Sequence, residues 1–154
     1  MILANIDLDY RHQPLRPDYI SELPSMFHDD ALLDRFHGII PGWEIPRITL
    51  EHYARGPGIK ADVFGEYAHQ IRTASTHLFP FGEVPAMRGD TRDAKAVERL
   101  ARALSRLLML NPGHPDYHHY VIEPAIALRG RVRTQLASIN PNEFSPSVNI
   151  DILD

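Results

Sequence analysis

The chain has 154 residues and a mass of 17.5 kDa, the size of one ordinary domain or of part of a larger one. Apolar residues at 44% and charged residues at 23% exclude a disordered chain as the default reading, and the absence of cysteine excludes disulfide scaffolds and thiolate metal sites and fits a cytoplasmic protein. The net charge of −4 is unevenly spread: residues 1–87 carry −5, residues 88–133 carry +4 and residues 134–154 carry −3, so a basic middle in an acidic chain points to a local contact surface.

Ile2-Leu3-Ala4-Asn5-Ile6 reads as a buried strand, and the segment Met1–Asp7 lacks the basic start and cleavage site of a signal peptide. No apolar run anywhere approaches the roughly 20 residues that span a bilayer. A lone apolar strand at the start implies either missing upstream neighbours or pairing with the alternating segment Val148–Ile152. Residues 11–28, with Pro14, Pro17 and Pro24, read as a loop. Asp29 or Asp30 caps a short helix, Ala31–His37, that Gly38 stops. Ile39–Ile48 holds Pro41 and Pro46 around Trp43, an apolar segment expected to be clamped against a core without regular structure.

Val63, Phe64, Tyr67, Ala68 and Ile71 recur at helical spacing and predict a helix from about Lys60 to Thr73. Residues 79–90 read as a Pro/Gly loop. Asp90 or Thr91 caps the strongest predicted helix, Arg92 to Leu110, with Val97, Leu100, Ala101, Leu104, Leu107 and Leu108 as its apolar stripe. A last helix runs from Asp116 to Ala137 with Val121, Ala125, Leu128, Val132 and Leu136 inward, kinked or delayed by Pro124. Three packed helices with a strand at each end make a mainly α unit with minor β.

The chain shows no complete catalytic motif. Gly56-Pro57-Gly58-Ile59-Lys60 lacks the preceding strand and the Gly-Lys-Ser/Thr ending of a phosphate loop, and no nucleophile elbow appears. His114 and His118 have metal-ligand spacing, but Pro115 lies between them and no third ligand is evident, so no metal site is assigned. Arg92, Lys95, Arg99, Arg102 and Arg106 line one face of their helix. Such a face is either the solvated side of an amphipathic helix or a contact for phosphates of ATP or DNA. Arg35, beside Asp34 on a short helix, has the setting of an arginine finger or of a local ion pair with Asp34 or Asp30.

The stretch Ala31-Leu32-Leu33-Asp34-Arg35-Phe36-His37-Gly38-Ile39-Ile40-Pro41-Gly42-Trp43-Glu44-Ile45-Pro46-Arg47 closely resembles a segment of the Lon-related AAA+ proteins of BREX phage-defence systems. The resemblance runs more loosely through Tyr53–Arg72, Asp93–Leu108 and Ala127–Leu136 to the end of the chain. It implies a C-terminal remnant of the AAA+ core over residues 1–50, a helical lid over 51–138 and an extended segment over 139–154. It also implies Asn5 as a sensor-1 residue orienting the attacking water, Arg35 as the arginine finger and Arg99 as a sensor-2 contact to phosphate. Glu98 stands where the family has a basic or neutral residue, and the Walker motifs and protease-like domain have no counterpart here. The expectation is a fragment of a Lon-like ATPase, inactive alone, with ATP and Mg²⁺ in the parent and like subunits of a ring as partners. The alternative is a stand-alone interaction or DNA-binding module that uses the Arg92–Arg106 face, and neither reading places it in a membrane.

Overall fold

A computed structural model describes residues 1–53, 55–73 and 81–153. Its helices are α1 (Asp30–Leu33), α2 (Ala61–Thr73), α3 (Thr91–Leu108) and α4 (Glu123–Ile139), and its strands are β1 (Ala86–Gly89) and β2 (Ile150–Leu153). Single 3₁₀ turns punctuate the N-terminal third. The chain is mainly α, as expected, and no helix among the described residues is long and apolar enough to cross a membrane.

Helix α3 forms where capping and periodicity agree. The Asp90 carboxylate accepts from the Arg92 and Asp93 amides, two of the first-turn donors that have no partner within a helix. Met109 ends the helix in the left-handed region (φ 55°, ψ 44°), with its amide on the Ser105 carbonyl. Before α4, residues His118–Ile122 form a wide π turn, and Pro124 falls in the first turn of α4, where an amide hydrogen is not needed. The stretch expected as a helix from Asp116 is therefore helical from Tyr117, with a π turn ahead of Pro124, and it runs on to Ile139.

Helix α4 is the central element. On one side Val97 and Ala101 of α3 pack with Tyr117, Val121, Ile122 and Ala125, and Met87, Ile150 and Ile152 of the β-ribbon close this core. On the other side Val132 and Leu136 pack with Ile20 and Leu33, flanked by Leu23, Phe36, Ile39 and Phe144. Buried Gln135 ties that side down, accepting from the Ile20 amide (3.0 Å) and donating to the Pro17 carbonyl (2.8 Å). The Trp43 turn reaches the same helix through Glu44, which accepts from Arg131 at 2.8 Å, while Trp43 itself meets Tyr19 edge-on. Pro41 is buried but Ile40, Ile45 and Ile48 are exposed, so the segment is held at Ile39, Pro41 and the Trp43 turn rather than along its length.

The ribbon is antiparallel, with Met87 opposite Ile152 on the core side and Arg88 opposite Asp151 in the outward register. Gly89 (φ +137°) is required there, because a Cβ would collide with the Asn149 carbonyl oxygen. Pairing of Val148–Ile152 with Ile2–Ile6 was one of the two alternatives for the first segment. The partner of Val148–Ile152 is instead β1, from the stretch read as a Pro/Gly loop, of which residues 79 and 80 lie outside the described residues. Residues 2–6 form no strand, and Ile2 and Leu3 are exposed: a strand needs a neighbour for its backbone groups, and β1 and β2 satisfy each other.

Two further expectations shift. Helix α1 stops at Leu33 rather than His37, and Gly38 serves close approach, since a Cβ there would lie 2.9 Å from Leu128 Cβ. In α2, Ile71 is buried as expected, whereas Val63 and Phe64 are exposed.

Candidate functional site

The site is built on the turn that follows α1. Asp29 caps α1 by accepting from the Leu32 amide at 2.8 Å, and the Asp34 amide closes the helix on the Asp30 carbonyl at 2.8 Å. Asp34 then turns inward, with only 6% of the residue exposed, and meets Arg129 of α4, which is fully buried at 0%.

Arg129 makes four hydrogen bonds. Its Nε donates to Asp93 Oδ1 (2.6 Å) and its Nη2 to Asp34 Oδ1 (2.6 Å). Its Nη1 donates to the main-chain oxygens of Asp34 (3.0 Å) and Phe36 (2.7 Å). Arg92 of α3 pairs with the second Asp34 oxygen. Asp93 Oδ2 has no hydrogen bond, and Arg133 Nε lies 3.6 Å from it. Two cations more than the Arg129 pairings alone thus surround the two buried carboxylates, which is what burial of charge demands. Burial alone would raise the Asp34 carboxyl, but hydrogen bonds from Arg92 and Arg129, with the charges of both, outweigh it and hold it below the usual carboxylate range.

On the outside of this turn stands Arg35, exposed, with one hydrogen bond from Nη1 back to the Ala31 carbonyl at 2.9 Å. Neither Asp34 nor Asp30 pairs with it: Asp34 is taken by Arg92 and Arg129, and Asp30 accepts from Asn140 at 3.2 Å. Two residues on, His37 Nε2 lies 2.8 Å from Arg99 Nη1. Arginine only donates, so the imidazole accepts at Nε2 and is neutral there. Partial burial, then the charges of Arg99 and Arg129, depress the His37 pKa in the same sense.

The fold brings Arg35, Arg92 and Arg99 around one turn. Lys95 lies between Arg92 and Arg99 on the same helix face, exposed and without a partner among the described residues. The rest of the basic face divides. Arg102 pairs with Glu98 at 2.7 Å on the surface, while the half-buried Arg106 donates to the Ile71 carbonyl at 3.2 Å and packs against Gly82. Arg92 and Arg106 are thus engaged by the fold. Asn5 sits in exposed irregular chain, and no hydrogen bond ties it to the turn. His118 and His119 both face Glu123 through Nδ1 at 3.2 Å.

Arg129 and Asp93 were not singled out from the sequence. Arg129 continues the inward stripe Ala125, Val132, Leu136 at steps of four, three and four, so a cation on an apolar stripe was the available signal. Arg129, Arg131 and Arg133, at alternate positions, reach three different targets: the Asp34–Asp93 pair, Glu44, and the Ser145 carbonyl with the Phe144 ring.

Residues 1–149 match the family model described as the ATPase domain of Lon-like protease BrxL-like proteins. A Lon-like protease BrxL of Escherichia coli O9:H4 (strain HS) is 30% identical over 146 residues, 88% of this chain and 20% of that protein. The Lon-like protease BrxL of Bacillus cereus (strain H3081.97) is 30% identical over 136 residues, 84% of this chain and 19% of that protein. The chain therefore spans about a fifth of the length of these curated relatives. With the match covering nearly all of its residues, the chain belongs to the BrxL-like ATPase-domain family of Lon-like proteins.

Proposed function

We propose that this chain serves as the finger-and-lid part of a Lon-like AAA+ ATPase in BREX-type phage defence, presenting Arg35 to a nucleotide held by a neighbouring subunit of a ring. The observation that carries this reading is the contrast within one dipeptide: Asp34 is locked between the buried Arg129 and the surface Arg92, while Arg35 projects outward with no acidic partner among the described residues. A guanidinium held on a rigid turn and free of a local carboxylate is suited to meet a γ-phosphate across an interface. Arg99, fixed by His37, is the second phosphate contact, and Asn5 is assigned to orienting the attacking water.

Nucleotide and Mg²⁺ belong to a core that carries a phosphate loop, and Mg²⁺ neutralises charge on the phosphates when bound. Arg35 and Arg99 offer donors that fit phosphate oxygens. The buried carboxylates behind them, Asp34 and Asp93, are taken by arginines and are not offered to the metal. The chain alone therefore binds ATP weakly or not at all. Titration of labelled ATP into the purified chain tests this, and micromolar binding would overturn it. In an assembly with a nucleotide-binding core, Arg35→Ala lowers kcat by about 10³-fold or more, and unchanged turnover would remove Arg35 from the role.

A second reading is favoured by the exposure of Lys95, Arg99 and Arg102 on one helix face: a contact to the DNA backbone. Affinity for short duplex DNA at two salt concentrations separates it from the first.

A further inference from the structure

Among the described residues the Arg35 side chain makes one hydrogen bond, to the Ala31 carbonyl four residues back, which does not reach α3 or α4. The backbone on which it stands is fixed by another residue. Arg129 Nη1 holds the carbonyl before Arg35 and the carbonyl after it, those of Asp34 and Phe36, and its Nη2 holds the Asp34 side chain. Three residues on, the Ile39 amide donates to the Leu128 carbonyl at 3.1 Å, so the turn is seated on α4 at both ends. Asp93 of α3 occupies Arg129 Nε and thereby orients the fork.

We infer that Arg129, oriented by Asp93 and paired with Asp34, is a positioning residue for Arg35: it makes the direction in which Arg35 projects a property of the α3–α4 pair. The inference rests on the role of Arg35 given above. Helix α3 already meets α4 and the π turn before it through Val97, Ala101, Val121 and Ala125, a core that excludes the Arg35 turn. Leu33, Phe36 and Ile39 seat the turn on α4, and what the ionic cluster adds is a tie from the Asp34 and Phe36 carbonyls, on either side of Arg35, to both helices. Only a planar fork does this, because one ammonium has no geometry that reaches four acceptors on two sides.

The absence of cysteine makes the test direct, since introduced cysteines are the only ones labelled. Spin labels at Arg35→Cys and Ala103→Cys report the turn against α3, and labels at Ala103→Cys and Ala127→Cys report α3 against α4. Positions 35, 103 and 127 are exposed. Arg129→Lys, which keeps the charge and loses the fork, is expected to broaden the 35–103 distance distribution roughly twofold and leave the 103–127 width unchanged. Arg129→Met is expected to do the same. An unchanged 35–103 width, or equal broadening of both pairs, would overturn the inference, because a merely structural role moves both or neither. If Arg129→Met unfolds, the charge-neutral combination Asp34→Asn/Asp93→Asn/Arg129→Met is read in its place, and its unfolding would show that the cluster holds the helices themselves, which also overturns the inference. An Arg35→Ala variant with full ATP turnover would instead sink the function assigned to Arg35 and leave the distances standing, so the two failures are distinguishable.

Discussion

Arg129 is fully buried and makes four hydrogen bonds, two of them to buried carboxylates. Removing it leaves the Asp34 and Asp93 carboxylates buried without their shared partner, so Arg129→Met is expected to cost about 3–5 kcal/mol in urea unfolding at pH 7. The combination that also neutralises both acids is expected to cost less, because no charge is then stranded. Acid reports the same cluster. The Asp34 pKa is depressed in the folded chain, its burial outweighed by the arginine hydrogen bonds, so its contribution is complete above the ordinary value of 3.8 and is lost as pH falls through the lower folded value. Asp34→Asn should flatten that acid limb of stability against pH. His37 acts higher on the scale. Burial, Arg99 and Arg129 lower its pKa, so the unfolded chain takes up the proton first, and stability is complete above 6.5 and declines as pH falls toward the folded value. Melting temperatures of His37→Gln between pH 8 and 5 should lack this decline, and a retained slope would mean that another group carries it.

Among elements, α3 was the most legible because cap, stripe and stop coincide in the sequence, and Asp90→Ala should cost about 1 kcal/mol through the two amides it leaves unpaired. Thermal or urea melts give that figure directly. Helix α4 was placed correctly, but its inward face was read with Leu128 where Arg129 is the buried member. Hydrophobicity ranks leucine above arginine, and the two acids that make a buried arginine tolerable lie on other elements. Strand β1 was missed for a related reason: four residues after Pro85 carry too little alternation to signal a strand, and only pairing with β2 makes one. The reverse error, at Ile2–Ile6, came from an apolar run that has no neighbour to pair with among the described residues. Leu33, buried on α1 against Val132 and Leu136, anchors the shortest helix, and Leu33→Ala should cost about 2–5 kcal/mol.

For the whole molecule, the distribution of charge was visible as a basic middle in an acidic chain, but its use was not. If DNA binds the α3 face, three cations are available for phosphates, Lys95, Arg99 and Arg102, and the slope of log affinity against log salt should be about −3. Arg106→Ala should leave that slope unchanged, since Arg106 is turned toward Ile71. A slope near −5 would return Arg92 and Arg106 to the contact surface, and no salt dependence would leave the nucleotide reading alone.

Local order set the mainly helical class, the start of α3, the break at Pro124 and the family to which the chain belongs, because caps, periodicity and an unusual Pro-Gly-Trp segment are properties of neighbouring residues. Tertiary structure alone decided which member of Asp34-Arg35 is buried, which cations remain exposed and which segment pairs with β2. Each of those outcomes depends on partners 35 to 95 residues away for the charges and more than 60 away for the strand, distances at which no local pattern constrains the choice. A charge enters the interior only where opposite charges from other elements meet it, and a strand forms only where another edge satisfies its backbone.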